Sequence, residues 1–507
     1  MNLPMIKRVI DKNHSKLVSW QNIRVCFFIL FILTLPLFAQ SQNLNQTYTP
    51  DQLKSDFHIL KTVLEQAHPS LYTYTSKEKW DIIFRETELK LGHDMTQIEF
   101  RNVLAPLIYQ THCDHTYIDF DSAGYRYHHE KELQFPFRIK VFNNRIYISK
   151  NLSKDTSIQF GAEILRINHI PSKKILKQLL YTESADGYNM TKLRWAVQME
   201  FHDKYSLFIG SSPTYIVDIR QKGSKKIEIH NVAGLTHDSI FRYYKIRYPE
   251  AWANRSKPLK MNIGANKKYA IITIAHLRFR HEDSTFYRFL DSSIKVINNN
   301  GIRKVVLDVR DNNGGEAVAG RDLYAMLSDY QFKYFDSMEE RTNKMYQYSE
   351  YTDVDTGYYN NWQYVPLSGT DGYTILKHPL FGLQRQHYPN YNGELYVLVN
   401  GGSMSATAIF CDILYTNHRA IFIGEECGGG YKTCNGNAVN LTLPLTRIAF
   451  SIPLRKFYIS ASGNPFKNQC LDPDIKIKNT YSDFIKGKDR VMDYTLKLMQ
   501  RKSLEGF

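Results

Sequence analysis

Cysteine is scarce in this chain of 507 residues, six in all, and no apolar run is long enough to span a bilayer. The first shortage excludes a small disulfide-stapled scaffold. The second leaves only Val25 to Phe38, 14 uncharged residues, against the roughly 20 that a membrane helix needs. Glycine (27) and proline (17) are too few for a collagen-like or low-complexity chain, and a hydrophobic share of 43% is too high for a disordered one. The net charge of +15 lacks a dense basic stripe: Lys7, Arg8, Lys12, Lys16 and Arg24 against Asp11 account for +4 of it before residue 40. Nucleic acid is therefore not an expected partner. No repeat of 20 to 50 residues is visible, which excludes solenoids. What remains is a folded globular protein of about three domains.

The apolar run follows a basic leader and ends at Ala39 before polar sequence, the layout of a signal peptide over residues 1–39. Cleavage there predicts a mature chain that begins near Gln40. It would be periplasmic or secreted, with no stable membrane anchor; an uncleaved anchor is the alternative. Cys26 opens the run instead of closing it, which argues against a lipid-modified cysteine. The other five cysteines (113, 411, 427, 434 and 470) are odd in number, so at least one stays unpaired. Cys427 and Cys434 flank a glycine-rich turn and could close it or remain free thiols.

Residues 40–132 read as a helical region, because Leu53, Phe57, Leu60 and Leu64, and later Phe100, Val103, Leu104 and Leu107, recur at helical spacing. From Leu133 short alternating runs take over, with Asn143 and Asn144 as the expected hairpin turn and a helix over SKKILKQLL. Near Tyr269 the pattern becomes strand (YAIITI), helix (Phe286, Leu290, Ile294, Ile297), strand (KVVLDV) and glycine turn, a βαβ signature of a mostly parallel sheet. Residues 330–392 lack periodicity and read as a surface excursion. The strand LYVLVN then leads through GGSMSA into another helix.

That last turn is the most informative stretch. It places Ser403 and Ser405 at a helix amino terminus, where backbone amides can hold an oxyanion; either serine could equally be an N-cap. In KVVLDVRDNNGGEAVAG, Gly314 and Gly315 end a buried strand at the same sheet edge and offer unencumbered amide donors.

The segments LDVRDNNGG, VLVNGGSMSATAIF, FIGEECGGG and LDPDI, in this order, resemble the tail-specific (C-terminal processing) serine protease family. QTHCDHTYIDF is similar to the family's Asp-x-His-Thr segment and FGAEILRINHIP to part of its PDZ-like domain, so the resemblance covers about residues 50–480. It implies an α/β fold with a crotonase/ClpP-like core over 260–480, a PDZ-like domain at 133–232 inserted after the helical region, and a helix or tail over 481–507. It implies a serine-type endopeptidase acting on protein or peptide substrates without a cofactor. Ser405 matches the nucleophile, and Ala406 with Gly314 or Gly315 matches the oxyanion hole.

The departures leave the base open. Where Ser-Lys members carry lysine, 25 residues after the serine, this chain has Gly430; Lys432 lies two residues later. Cys427 replaces the motif threonine and Ala408 the usual glutamate. Tricorn-like members use a histidine from the segment before the PDZ-like domain, which here points to His115, and imidazole suits base work near neutral pH. A carboxylate should orient it; Glu425 is the first choice, with Asp472 and Asp474 behind it. His112, Cys113, Asp114 and His115 cannot all face one ion, so no metal is expected. The rival readings are a non-catalytic peptide-binding protein that kept the scaffold and lost the base, and an enzyme of the same fold acting on another acyl group.

Overall fold

The computed structural model describes residues 44–500 apart from 256, 265–266, 281–283, 464 and 467–468, and the expected signal peptide lies outside them. Three helices open this part of the chain: α1 (Pro50–Ala67), α2 (Lys77–Leu89) and α3 (Gln97–Tyr109). Helix α1 begins where Thr49 and Gln52 cap each other reciprocally and Pro50 takes the first turn, a position that needs no N–H. Its Leu53, Phe57, Leu60 and Leu64 are all buried. Thr96 and Glu99 form the same capping box at α3. The strand β1 (Tyr117–Phe120) and helix α4 (Ser122–Glu130) follow.

The middle region is a sheet in the order β2 (Phe137–Phe142), β3 (Arg145–Asn151), β4 (Glu163–Ile167), β5 (Thr214–Arg220), β6 (Glu228–Ala233). Asn143 and Asn144 make the β2–β3 turn with φ of 49° and 58°, the left-handed pair that a two-residue hairpin requires. Between β4 and β5 stand α5 (Ser172–Leu180), α6 (Met190–Met199) and α7 (Phe201–Phe208), and α8 (His237–Arg247) comes after β6.

The carboxyl-terminal half holds two further sheets. The central one runs β7 (Leu259–Ile263), β8 (Ala270–Ile274), β9 (Lys304–Asp308), β13 (Glu394–Val399), β14 (Ile421–Gly424), β17 (Ile475–Lys476), parallel except at β7. Helices α9 (Ser284–Asn299), α10 (Ala317–Ala325) and α11 (Ala406–Thr416) contribute to the core on one side. On the other, Val491 and Met499 of α12 (Arg490–Gln500) pack with Val306, Tyr396, Leu398 and Ile423. The second sheet orders β11 (Tyr364–Pro366), β12 (Tyr373–Ile375), β10 (Phe335–Glu340), β16 (Ile448–Ile459) and β15 (Thr433–Thr442), with β1 paired on β16.

Residues 330–392 are not the surface excursion their composition suggests. They supply β10, and Glu340 forms an ion pair with Arg455 at 2.6 Å with both side chains about 1–2% exposed. Tyr358 and Tyr364 donate to the same carboxylate. Their hydroxyls satisfy a buried charge, a role that leaves no helical or strand periodicity in the sequence.

Candidate active site

Strands β9 and β13 are parallel neighbours, so the turns that follow them open at the same sheet edge. After β13 the chain passes through Gly401–Met404 to Ser405, whose backbone is held at φ 53° and ψ −129° immediately before α11. This is a strained conformation for a residue with a side chain, and it turns the hydroxyl out of the helix instead of capping it. Ser403 is occupied differently: its hydroxyl donates to Val309 O at 2.8 Å, which makes it part of the turn's framework.

After β9, Gly314 adopts φ 86° and a Cβ there would lie 2.7 Å from Ser405 Cβ, so only glycine fits against the serine. The Gly314 N–H donates to Asn312 Oδ1 at 3.0 Å, and Thr407 Oγ1 of α11 donates to the same oxygen at 2.7 Å. Asn312, fully buried, thereby joins the two turns, and its own amide is anchored on Ile274 O. The amide of Gly314 is thus committed. Those of Gly315 and Ala406 have no acceptor among the described residues, which leaves them as the pair able to receive an oxyanion.

His115 arrives from the amino-terminal region. Pairing of β1 with β16 fixes the chain two residues downstream, and Ser184 Oγ donates to the carbonyls of Cys113 and Thr116 around it. Its Nε2 lies 3.0 Å from Ser405 Oγ, the one side-chain hydrogen bond that Ser405 makes among the described residues. Its Nδ1 is buried with no hydrogen-bond partner among the described residues. Donor atoms of His115, Asp186 and Cys434 all lie within 4.8 Å of one another.

Asp186 is wholly buried. Its Oδ1 accepts the amide of Asp114 and its Oδ2 that of Gly430. Burial and the neighbouring Asp114 raise its carboxyl above the usual range, while His115 and the two amides act the other way. Burial also holds the Cys434 thiol well above its ordinary value, which keeps it protonated and a poor metal ligand.

Glu425, the sequence-based choice of acid, makes no hydrogen bond to His115 among the described residues. It follows β14, and its carboxyl is raised by burial and acted on by Lys478, Lys140, Arg194 and Asp311. Asp472 pairs with Lys476 at 2.8 Å, and Asp474 accepts the amide of Phe422. Lys432 donates its backbone amide to Asp412 and has no bond to Ser405. Cys427 hydrogen-bonds to Cys411, not to Cys434, and all five described cysteines are free.

Asp186 was missed because it sits in the stretch 181–210, whose only signal was excess length for a compact domain. That stretch packs on the serine turn: Trp195 Nε1 of α6 donates to Asp311 Oδ1 at 2.7 Å, and a Cβ on Gly402 would lie 2.6 Å from that indole nitrogen. Beneath it, Lys192 bridges Asp114 and Glu183.

Residues 268–477 match the model of Peptidase family S41. No curated protein matches the chain significantly. Among solved structures, mature CPAF aligns with a TM-score of 0.62 at 15% identity, covering 90% of this chain and 98% of that one. CPAF complexed with lactacystin gives 0.61 at 16%, covering 89% and 98%. The photosystem II D1 C-terminal processing protease gives 0.42 at 12%, covering 85% and 93%.

Proposed function

Since the chain is a serine peptidase of the tail-specific protease family, we propose that Ser405 is its nucleophile, His115 the base and Asp186 the carboxylate that holds His115. The observation that carries this reading is the 3.0 Å contact between His115 Nε2 and Ser405 Oγ. In this mechanism the imidazole takes the hydroxyl proton as Oγ adds to the scissile carbonyl. The amides of Gly315 and Ala406 receive the oxyanion. The imidazolium then protonates the departing amine, and water, activated by the same base, hydrolyses the acyl-enzyme. Asp186 has the charge and the burial to stabilise the imidazolium. It needs to approach Nδ1 more closely when the proton arrives.

The finer architecture belongs to the same proposal. The carboxyl-terminal half acts as a crotonase/ClpP-like core, and the β2–β6 sheet with α5 acts as a PDZ-like module that engages a substrate chain by strand addition. The leader directs export to the periplasm or outside the cell, with cleavage near Ala39; the mass of the exported protein tests this.

Labelling with a fluorophosphonate probe tests the site. Wild-type protein should be labelled at Ser405, whereas Ser405→Ala and His115→Ala should not. A folded wild-type protein inert to the probe and to unfolded polypeptide would instead favour the peptide-binding reading.

A further inference from the structure

Outside the matched peptidase domain, four histidines converge on one carboxylate. His128 and His129 end α4, Asp203 and His202 begin α7, and His237 begins α8. His128 Nε2 lies 3.4 Å from Asp203 Oδ1, and His202 Nε2 lies 3.4 Å from Asp203 Oδ2. The rings of His129 and His237 stack with centroids 3.7 Å apart, and donor atoms of His129, Asp203 and His237 lie within 4.8 Å of one another.

We propose that His129, Asp203 and His237 form a zinc-binding site that clamps α4, α7 and α8 together. Two buried polar atoms of these ligands, Asp203 Oδ1 and His237 Nδ1, lack a hydrogen-bond partner among the described residues. Each such atom costs folding free energy, and a cation that accepts several lone pairs offsets that cost at one point. The donor chemistry suits zinc, since two imidazoles and one carboxylate exceed what magnesium or calcium, which prefer all-oxygen shells, would select.

Asp238 adds negative charge beside His237, and Arg138 works against it from the side of His202. The ligand side chains are 14–24% exposed, which gives an ion access and leaves a fourth position for water. Binding requires the stacked rings of His129 and His237 to rotate so that both lone pairs meet at one centre. His128 and His202 remain against Asp203 and orient it.

The test uses the full, tag-free chain with His115→Ala, which removes the other three-donor cluster found among the described residues. Zinc chloride is titrated in competition with a chromogenic chelator, and thermal unfolding is followed in parallel. The expected result is one equivalent bound at micromolar affinity or tighter, with the unfolding midpoint raised by roughly 3–6 °C. His129→Ala with His237→Ala should weaken binding by at least about 100-fold and remove the shift. Should that pair misfold, the single His237→Ala, at the first turn of α8, should still weaken binding by about 10-fold or more. Cobalt(II) should give the intense visible bands of four-coordinate geometry. Zinc binding unchanged by these substitutions, or no binding at 100-fold excess over protein, would overturn the assignment.

Discussion

Asp186 Oδ2 accepts the amide of Gly430 at 3.0 Å, so the carboxylate within 4.8 Å of His115 also holds the glycine loop that passes behind Ser405. Asp186→Asn keeps the volume and removes the charge. Turnover should fall by about 10²- to 10⁴-fold while the protein stays folded. The same substitution on Ser405→Ala should add no further loss. Because burial raises this carboxyl above the ordinary range, it takes up its proton at a higher pH than an exposed aspartate does. Activity that depends on its charge is present above that pKa and lost as pH falls through it, and the acid limb of the kcat/KM profile should be altered in Asp186→Asn.

Ser405→Ala should abolish cleavage of an unfolded protein substrate without a measurable change in the unfolding midpoint. His115→Ala should cost about 10³-fold or more in turnover, and Lys432→Ala should stay within a few-fold of wild type. An enzyme that tolerated the histidine change and died with the lysine change would sink the assignment of the base.

Asn312→Ala removes the acceptor shared by the Gly314 amide and the Thr407 hydroxyl. Two buried donors would lose their partner, so stability should drop by about 1–3 kcal/mol for each group left unsatisfied. The Gly314 turn should also loosen against the serine turn. The expected signature is a lower kcat with KM little changed, measured beside urea unfolding.

Acid should destabilise this fold through His68. Its Nδ1 accepts the Ser70 amide and its Nε2–H donates to Thr116 Oγ1, a neutral tautomer that burial holds with a pKa lowered to about 3 from 6.5. Between those values the unfolded chain binds a proton that the folded chain refuses. The contribution is therefore complete above about 6.5 and declines as pH falls towards 3, by about 1.4 kcal/mol per pH unit for one proton. Urea titrations at stepped pH should show His68→Gln with a shallower acid slope than wild type.

Legibility in the sequence followed the range of the interactions. The hairpin at Asn143–Asn144, the helix of Leu53, Phe57, Leu60 and Leu64, and the strands before Gly314 and Ser405 were readable because each depends on residues within a few positions of one another. His115 was reachable only through the family resemblance, since nothing local distinguishes it from its neighbour His112, which bonds to Gly187 O instead. Asp186 was not legible: its chemistry comes from amides 72 and 244 residues away in the chain. Glu340, likewise, becomes a buried ion only through Arg455, which lies 115 residues further on. Patterns of period 2 or 3.6 carry no information about such partners.

The 290 residues between His115 and Ser405 also set a clock. At roughly 5–20 residues per second, a ribosome that has just added the histidine needs about 15 s to a minute to reach the serine. Throughout that interval the growing polypeptide holds the proposed base without the proposed nucleophile. On the proposed assignment, hydrolysis cannot begin before Ser405 is added, and a fragment released by premature termination between the two lacks the nucleophile.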